Sequence, residues 1–479
     1  MDQHFARTDI LPALPPPITE RGAVKWLREN LFSTPLNIAL TLVGGLVIYL
    51  LIASSLPWWL NSVWVADSLS ECRAIVTASA GEGATGACWA MVRERWHQFI
   101  FGFYPPSEYW RPILAFGLLF AALSPVLFSG QRRNLSIILA SVMGFLVLTL
   151  WLAQAPTLAF IAALALVAGL LVLAQVMPRQ ILWFTLIYPA LCFWLLWGGS
   201  VWAPIAGMAG FALLYAVFRL LSPVIGLAPA ASAGVVAAVL WWLYLDVAVI
   251  SALQSVLPLG IQSIDSDQFG GFLLAIVIGV TGISFSLPIG ILLALGRQSD
   301  MLIIKTLSIG FIEFIRGVPL ITLLFTASLL LQYFLPPGTN FDIILRVIIL
   351  VTFFAAAYLA EVIRGGLAAL PRGQYEAADA LGLDYWRAQR LIILPQALKV
   401  SIPSIVSTFI GLFKDTTLVA FVGLMDPLKG VTQIVRADID WKGIYWEPYI
   451  FVGAIFFVIC FGMSRYSMYL EQKLKTDHR

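Results

Sequence analysis

The sequence predicts an all-α polytopic membrane protein, and three observations lead to this fold class. Of the 479 residues, 60% are hydrophobic and 11% are charged, whereas a soluble domain carries roughly a quarter charged residues. The apolar residues form runs of about twenty, the length that a helix needs to cross a hydrocarbon layer of about 30 Å. The sequence lacks the short alternating strands of a membrane barrel, so the backbone groups of these runs must be satisfied within helices.

Twelve of the apolar runs are long enough to span a membrane. The first run is too long, and is preceded by too many polar residues, to be a cleavable signal peptide. Pro288 and Gly290 interrupt the eighth run, where they would produce either a functional bend or a packing kink. The runs lie near 37–60, 111–129, 135–153, 157–177, 181–201, 204–222, 232–256, 269–295, 303–334, 343–363, 402–424 and 448–468.

Lysine and arginine residues predict the orientation, because cytoplasmic loops carry an excess of them. Arg7, Arg21, Lys25 and Arg28 precede the first run, so we expect the N-terminus in the cytoplasm, and an even number of spans returns the C-terminus to the same side. The net charge of +3 follows from this asymmetry and does not indicate a nucleic-acid partner. Later basic residues that this arrangement places inside are Arg132, Arg133, Arg179, Arg219, Arg297, Lys305, Arg465, Lys473, Lys475 and Arg479.

The four cysteines fall into two kinds of environment. Cys72 and Cys88 lie in the long loop 61–110, which this topology places outside. In an oxidising compartment they would form a disulfide worth roughly 3 kcal/mol in the chain-entropy model, and two free thiols are the alternative. Cys192 and Cys460 lie within spans, where cysteine behaves as a small apolar residue. The histidines are scattered along the chain, so the sequence indicates no metal site.

The chain changes in character near residue 260. Segment 1–36 is proline-rich and is expected to be extended, except that its end would form either an interfacial amphipathic helix or a solvated tail. The spans of 37–260 carry few charges, whereas 261–470 holds charges within or at the ends of apolar runs, and intramembrane ionisable groups mark a functional bundle. We therefore predict an N-terminal module of seven spans, a C-terminal core of five spans, and a tail at 471–479.

Eight polar residues of the core spans are candidates for a pathway lining. Glu313 and Arg316 are three residues apart, as are Glu361 and Arg364, so each pair would lie on one helix face. These residues would contact a polar solute or gate its exit, or they would form ion pairs at the cytoplasmic ends of spans; for Arg364 the ion pair is favoured. The other four interrupt the run 402–424 and are Lys414, Asp415, Thr416 and Thr417.

The loop 371–395 has the pattern of a helix–turn–helix elbow. Residues 374–381 are good helix formers, and Gly382 is placed to stop the helix in a left-handed conformation. Asp384 would cap a second short helix. Small residues would let another surface approach and acidic residues would meet its donors, although a structured loop without a partner fits the same pattern. The residues expected to dock are Glu376, Ala377, Ala378, Asp379, Leu381, Gly382, Leu383 and Trp386.

Several motifs carry a family resemblance. The segment Glu376-Ala-Ala-Asp-Ala-Leu-Gly382 resembles the EAA loop of ABC-importer permeases, which is the coupling helix seated in a groove of the ATPase subunit. Three flanking motifs resemble the polar amino-acid uptake family. They are Tyr358-Leu-Ala-Glu-Val-Ile-Arg-Gly-Gly366, Ile312-Glu-Phe-Ile-Arg-Gly-Val-Pro-Leu320 and Lys414-Asp-Thr-Thr-Leu418, and the resemblance covers about 265–470.

The N-terminal part resembles the longer, second permease of general L-amino-acid transporters. This resemblance is carried by Trp89 and by the segments Phe99–Gly102, Trp110–Pro112 and Trp197–Gly199. The runs 204–222 and 232–256 are extra relative to that family's usual pattern, and the resemblance implies no role for them.

The resemblance implies a type I importer in the bacterial inner membrane. Such an importer contains two permeases, two ATPase subunits and a periplasmic amino-acid-binding protein; the second permease would be a shorter paralogue, with a second copy of this chain as the alternative. The chain has no Gly-x-x-x-x-Gly-Lys-[Ser/Thr] motif, so ATP and Mg²⁺ would be bound by the ATPase subunits, and this chain would hold no cofactor.

Two other classes of function fit the sequence less well. A secondary transporter would need ion-coupling carboxylates, and many such transporters are built from repeated halves, whereas the two halves of this chain look unlike each other. A membrane enzyme would need a catalytic constellation, and the sequence shows no such motif. We therefore expect a transporter subunit for L-amino acids, and the sequence alone does not rank acidic, basic and neutral substrates.

Overall fold

Helices make up most of the chain in the computed structural model, which describes residues 22–128, 131–334 and 342–475. Eleven of these helices are long and apolar enough to cross a membrane, and a sharply bent pair brings the number to twelve if it counts as one span. The predicted all-α membrane fold with about twelve spans is therefore confirmed. The predicted extended segment with Arg7 and Arg21, and the C-terminal end of the tail, lie outside the described residues.

One compact unit includes residues 22–94 and 438–447. A disulfide joins Cys72 to Cys88, whose Cα atoms are 6.1 Å apart, and the carboxylate of Glu447 accepts a hydrogen bond from the backbone N–H of Cys88 at 2.8 Å. The helices of this region are α1 (Gly22–Asn30), α2 (Pro35–Leu60), α3 (Leu69–Ala80) and α4 (Ala90–Phe101), the last of which continues into the second unit. Of the two forms expected for this segment, a helix is present as α1, and none of its residues is buried. Its place at the membrane interface stays a prediction.

The second unit begins with seven further helices and one small antiparallel sheet. The sheet pairs β1 (Gly199–Ser200) with β2 (Gly260–Ile261). Single 3-10 turns precede two of the helices, and a π-helical turn at Trp241–Leu245 separates the last two. The helices are α5 (Trp110–Leu127), α6 (Arg132–Leu152), α7 (Thr157–Val176), α8 (Ile181–Trp197), α9 (Trp202–Ile225), α10 (Leu227–Leu240) and α11 (Asp246–Val256).

The rest of the second unit contains the predicted core. A π-helical turn at Gln389–Ile393 and a 3-10 helix at Thr416–Val422 lie on either side of one long helix. The helices are α12 (Gly271–Gln298), α13 (Leu302–Gly317), α14 (Leu320–Phe334), α15 (Ile343–Ala368), α16 (Gly373–Ala380), α17 (Tyr385–Ala388), α18 (Leu394–Asp415), α19 (Pro427–Ala437) and α20 (Trp446–Lys475). The division of function near residue 260 stays a prediction.

Helix α12 packs along α15, and small residues bring the two helices close together. A Cβ atom at Gly290 would lie 2.8 Å from the Cβ of Leu359, so only glycine permits this approach. The helix is continuous from Gly271 to Gln298 with Pro288 inside it. The helix is thus not interrupted at Pro288 and Gly290, and the close contact of Gly290 with Leu359 favours the packing interpretation. The functional bend stays a prediction.

Two N-terminal motifs meet at one end of the bundle. Arg111 is 2% exposed; its guanidinium pairs with Glu108 at 2.7 Å and donates to the carbonyl of Gln262 at 2.6 Å. Gly198, with φ of 72°, approaches the same carbonyl so closely that a Cβ atom would lie 2.0 Å from it. The chain before α12 is thereby fastened to α5 and α8.

The extra run 204–222 forms α9, and the run 232–256 forms most of α10 together with α11; both α10 and α11 pack against α9. The indole N–H groups of Trp241 and Trp242 donate to the carbonyls of Ala206 and Gly207 at 2.9 and 3.0 Å. The π-helical turn lies at this position in the chain and brings both indoles to α9.

Candidate functional site

The elbow, residues 371–395, has the predicted helix–turn–helix form. Helix α16 ends at Ala380, Gly382 has a left-handed φ of 65°, and the carboxylate of Asp384 accepts from the backbone N–H of Arg387 at 2.8 Å to cap α17. Left-handed glycine and an aspartate cap are local features that a sequence encodes directly. The expected conformation of the loop is therefore confirmed.

The elbow presents one apolar face to its surroundings and buries another. Leu381 is 70% exposed, Tyr385 52% and Trp386 62%, which is unusual for large apolar side chains in a polar loop. The remaining residues expected to dock are exposed or half-buried, with one exception. Ala378 is 1% exposed, so its small side chain serves packing within the chain and is not on the docking surface. The docking role of the others stays a prediction.

The buried side of the elbow is seated on the core helices. Tyr375 and Ile392 pack against a buried cluster formed by α12, α13, α15 and α18. The side-chain amide of Gln396 donates to the side-chain oxygen of Gln374 at 2.9 Å and joins α16 of the elbow to α18. A displacement of the elbow would therefore be transmitted to α15 and α18.

Glu361 is the centre of a charged network at the elbow end of the core. Its carboxylate, 16% exposed, pairs with Arg297, with Arg364 at 3.0 Å and with Arg316 at 3.7 Å. Arg297 also pairs with Glu313 at 3.0 Å. The network joins α12, α13 and α15, so it holds the ends of three helices together.

The network only partly follows the expected spacing. Glu361 and Arg364 interact across one helical turn, whereas Glu313 and Arg316 bind partners on other helices. The guanidinium of Arg316 also lies 5.6 Å from the centre of the Tyr358 ring. Arg297 was not among the candidate site residues, because its partners lie 16 and 64 positions away. Its place at the C-terminal end of an apolar run is the one signal that the sequence offers.

The predicted span 303–334 is wrong as a single helix. It is divided into α13 and α14, and these meet at a bend of 100°. Val318, at φ −105° and ψ 131°, is extended, because the ring of Pro319 excludes the helical conformation from the residue before it. Arg346, 6% exposed, donates to the carbonyl of Ser328 at 2.8 Å and fastens α14 to α15.

The predicted span 402–424 also contains a helix end. Helix α18 stops at Asp415, and the chain continues as the 3-10 helix Thr416–Val422. The hydroxyls of Thr416 and Thr417 donate to the carbonyls of Phe413 and Lys414 at 2.7 and 2.9 Å. The two hydroxyls therefore satisfy backbone carbonyls in the last turn of α18. Lys414 is exposed and Asp415 is half-buried.

A buried aspartate fixes the chain that follows. Asp426 is fully buried, and its carboxylate accepts from the backbone N–H groups of Leu428 and Lys429 at the start of α19. Burial raises the pKa of this carboxyl, and the two N–H groups oppose the shift. The ammonium of Lys429 donates to the carbonyl of Ala420 at 3.1 Å and ties α19 to the 3-10 helix.

The eight pathway candidates lie in two groups. Gly279 of α12 packs against Phe413 and Thr416, next to Lys414, whereas Arg297 of the same helix joins the network around Glu361. At 1.5 Å per residue, the 18 residues from 279 to 297 separate the groups by roughly 27 Å. Among the described residues, no group of three or more His, Cys, Asp or Glu side chains is arranged to hold a metal ion.

Comparisons with known proteins agree with this architecture. Residues 286–476 match the family described as binding-protein-dependent transport system inner membrane component. Over 478 residues the chain is 60% identical to the glutamate/glutamine/aspartate/asparagine transport system permease protein BztC of Rhodobacter capsulatus, with 100% of both chains covered. It is 34% identical over 469 residues to the inner membrane amino-acid ABC transporter permease protein YhdY of Escherichia coli K12, covering 97% of this chain and 96% of YhdY.

A shorter relative matches less than half of the chain. The chain is 31% identical over 209 residues to the glutamate/aspartate import permease protein GltK of Escherichia coli O6:H1, covering 42% of this chain and 91% of GltK. Taken together, the helical bundle, the elbow and these relatives define a membrane-spanning transport component and not an enzyme. The chain belongs to the family of inner-membrane permeases of binding-protein-dependent ABC transport systems.

Proposed function

We propose that this chain is the longer permease of an ATP-driven amino-acid importer, and that its substrates are glutamate, glutamine, aspartate and asparagine. The identity to BztC over the whole of both chains supports this substrate class. The observation that carries the proposal is the elbow, which seats one face on the core helices and leaves Leu381, Tyr385 and Trp386 exposed. An exposed apolar face outside the membrane indicates a contact with another protein.

In this proposal the free energy for transport comes from partner subunits. Two ATPase subunits bind ATP and Mg²⁺ and receive the elbows, and a periplasmic binding protein delivers the amino acid. The second permease is a shorter paralogue of the GltK type. The match of GltK to only 42% of this chain, with 91% of GltK covered, supports a shorter protein that contains a core without the N-terminal module.

Both termini face the cytoplasm in this arrangement. Counting α13 and α14 as one span gives twelve, and this count supports an elbow on the same side as the basic residues of the inner loops. The disulfide of Cys72 and Cys88 then lies in the periplasm, where disulfides form. The charge asymmetry and the disulfide support this orientation independently.

The two groups of pathway candidates have different roles in this proposal. Lys414 and Asp415 lie where α18 ends, and a zwitterion would find complementary charges there, as it does at the discontinuous helices of other transporters. The network around Glu361 holds the cytoplasmic ends of α12 and α15 to the C-terminal part of α13. Closure of the ATPases moves the elbows, and through α15 and α18 it opens or closes this network.

The test is ATP hydrolysis by the purified complex, with and without loaded binding protein. In Glu376→Lys and Gly382→Arg, hydrolysis no longer responds to the binding protein while the complex still assembles, because both changes alter the exposed elbow. The matched control is Glu29→Lys, the same charge reversal at an exposed position of α1. The control retains the response.

Two outcomes contradict the proposal. If both elbow variants respond to binding protein like the wild type, the elbow is a structured loop without a coupling role. If proteoliposomes that contain the complex accumulate glutamate without ATP, the chain belongs to a different class of transporter.

A further inference from the structure

A cavity of about 870 Å³ opens where four spans end on one side of the bundle. Its walls come from the end of α5, the start of α6, and the turn between α7 and α8. The lining includes Phe128, Arg132, Met177, Arg179 and Leu182. In the orientation proposed above, this is the cytoplasmic headgroup layer of the membrane.

The two arginines give the cavity an uncompensated positive charge. Arg132 and Arg179 are exposed, and within the described residues neither forms an ion pair. No acidic residue lines the cavity, and the whole sequence between Glu108 and Asp246 contains no aspartate or glutamate. The positive charge of Arg132 and Arg179 can therefore be neutralised by an anionic ligand that does not come from this part of the chain.

The cavity also has an apolar side that faces the surroundings. Met177 is 48% exposed and Leu182 is 43% exposed, next to spans whose surfaces are apolar. A ligand that fits both features carries an anionic headgroup and an acyl chain. Basic pockets between membrane helices on the cytoplasmic side bind the headgroups of anionic lipids.

One wall of the cavity is fixed by the last helix of the core. The ring of Phe128 lies 5.9 Å from that of Tyr466 and 6.4 Å from that of Tyr469. The hydroxyl of Tyr466 donates to the carbonyl of Leu127 at 2.8 Å. The cavity is thus bounded by packed side chains and lies where α5 meets α20.

We propose that this cavity binds an anionic phospholipid, whose phosphate lies between Arg132 and Arg179 and whose acyl chain lies along Met177 and Leu182. A bound lipid would fill the space beside Phe128 and reinforce the contact between α5 and α20. The site is separate from the elbow and from the pathway candidates, so it does not depend on which substrate is transported.

The test is a titration of the delipidated importer complex with phosphatidylglycerol, with the lipid bound to the permease counted by native mass spectrometry. Each of Arg132→Gln and Arg179→Gln weakens the apparent affinity roughly 5-fold, and the double variant about 30-fold. Arg133→Gln is the matched control, since this neighbouring arginine is also exposed but does not line the cavity. Its affinity stays that of the wild type.

A second variant separates the loss of the cavity from the loss of charge. Met177→Trp keeps both arginines and fills part of the cavity. In the same titration it lowers the number of phosphatidylglycerol molecules bound. Phosphatidylcholine, which has no net charge, does not compete with phosphatidylglycerol in the wild type. Orientation of the arginine variants is checked by labelling, because removing basic residues from a short loop affects topology.

Three outcomes overturn the proposal. Equal losses in Arg133→Gln and Arg132→Gln show that total loop charge, and not the cavity, attracts the lipid. An unchanged affinity for phosphatidylglycerol in the double variant of Arg132→Gln and Arg179→Gln shows that the arginines bind no lipid. Full displacement of phosphatidylglycerol by millimolar inorganic phosphate shows that the ligand is a soluble phosphate.

Discussion

At the scale of single residues, Glu361 shows how one carboxylate organises several helices. It is largely buried and has three arginine partners, whereas Glu313 has one partner and its side chain is 55% exposed. Hydrogen bonds to charged groups contribute more to stability than neutral ones, and most of all where water is excluded. The two glutamates of the network therefore differ in importance.

We expect Glu361→Gln to lower the free energy of unfolding by about 2 kcal/mol, because three guanidinium groups lose their common anionic partner. The measurement is denaturant-induced unfolding of the permease in detergent micelles. Glu313→Gln is the control, and its effect stays below about 1 kcal/mol because its pair is more exposed. Equal effects of the two substitutions would show that Glu361 is not the centre of the network.

Residue spacing predicted only the local part of this network. The pair Glu361 and Arg364 follows from three-residue spacing on a helix, and the structure forms it. The partnership of Arg297 with Glu361 depends on the packing of α12 against α15, which no local spacing reports. Ala378 was expected on the docking surface from its position in the loop, but it is buried. Its burial depends on how the elbow packs on the core, which the local sequence does not report.

At the scale of elements, the division between α13 and α14 is the main departure from the predicted spans. Hydropathy averages over about twenty residues, so it cannot detect a break of two residues, Val318 and Pro319, inside an apolar run. The signal was nevertheless present, since Gly317, Val318 and Pro319 combine a flexible residue, an extended residue and a residue without an N–H group. The same glycine–valine–proline motif carries part of the family resemblance.

We expect Pro319→Ala to slow amino-acid uptake several-fold and to change its KM, because alanine at this position restores an N–H group and lets the helix continue. Hinge substitutions commonly change both kinetic constants. Uptake by proteoliposomes with loaded binding protein measures both. Pro288→Ala is the matched control, since Pro288 lies inside the unbroken α12. If the two variants slow uptake equally, the bend between α13 and α14 has no specific role in transport.

At the scale of the whole molecule, the arrangement of charges and cysteines makes one consistent prediction of orientation. The disulfide of Cys72 and Cys88 requires an oxidising compartment, and the basic loops require the opposite side. With twelve spans, this prediction puts the elbow and both described ends of the chain on the basic side.

Labelling with a membrane-impermeant maleimide checks this orientation. In intact spheroplasts of a variant without Cys192 and Cys460, we expect labelling of Cys72 and Cys88 only after reduction by an impermeant phosphine. In a variant that lacks all four native cysteines, Arg133→Cys reacts in inside-out vesicles and not in spheroplasts. The reversed pattern would place the elbow outside and contradict the importer arrangement.

The sequence by itself determined the membrane fold, the approximate number of spans and the form of the elbow. These depend on hydrophobicity, on charge, and on residues such as Gly382 and Asp384 that act on their immediate neighbours. The tertiary structure alone decided which charges meet around Glu361, which face of the elbow stays exposed, and that Arg132 and Arg179 share a cavity. The physical reason is that these relations join residues far apart in the chain, and they arise only when helices pack.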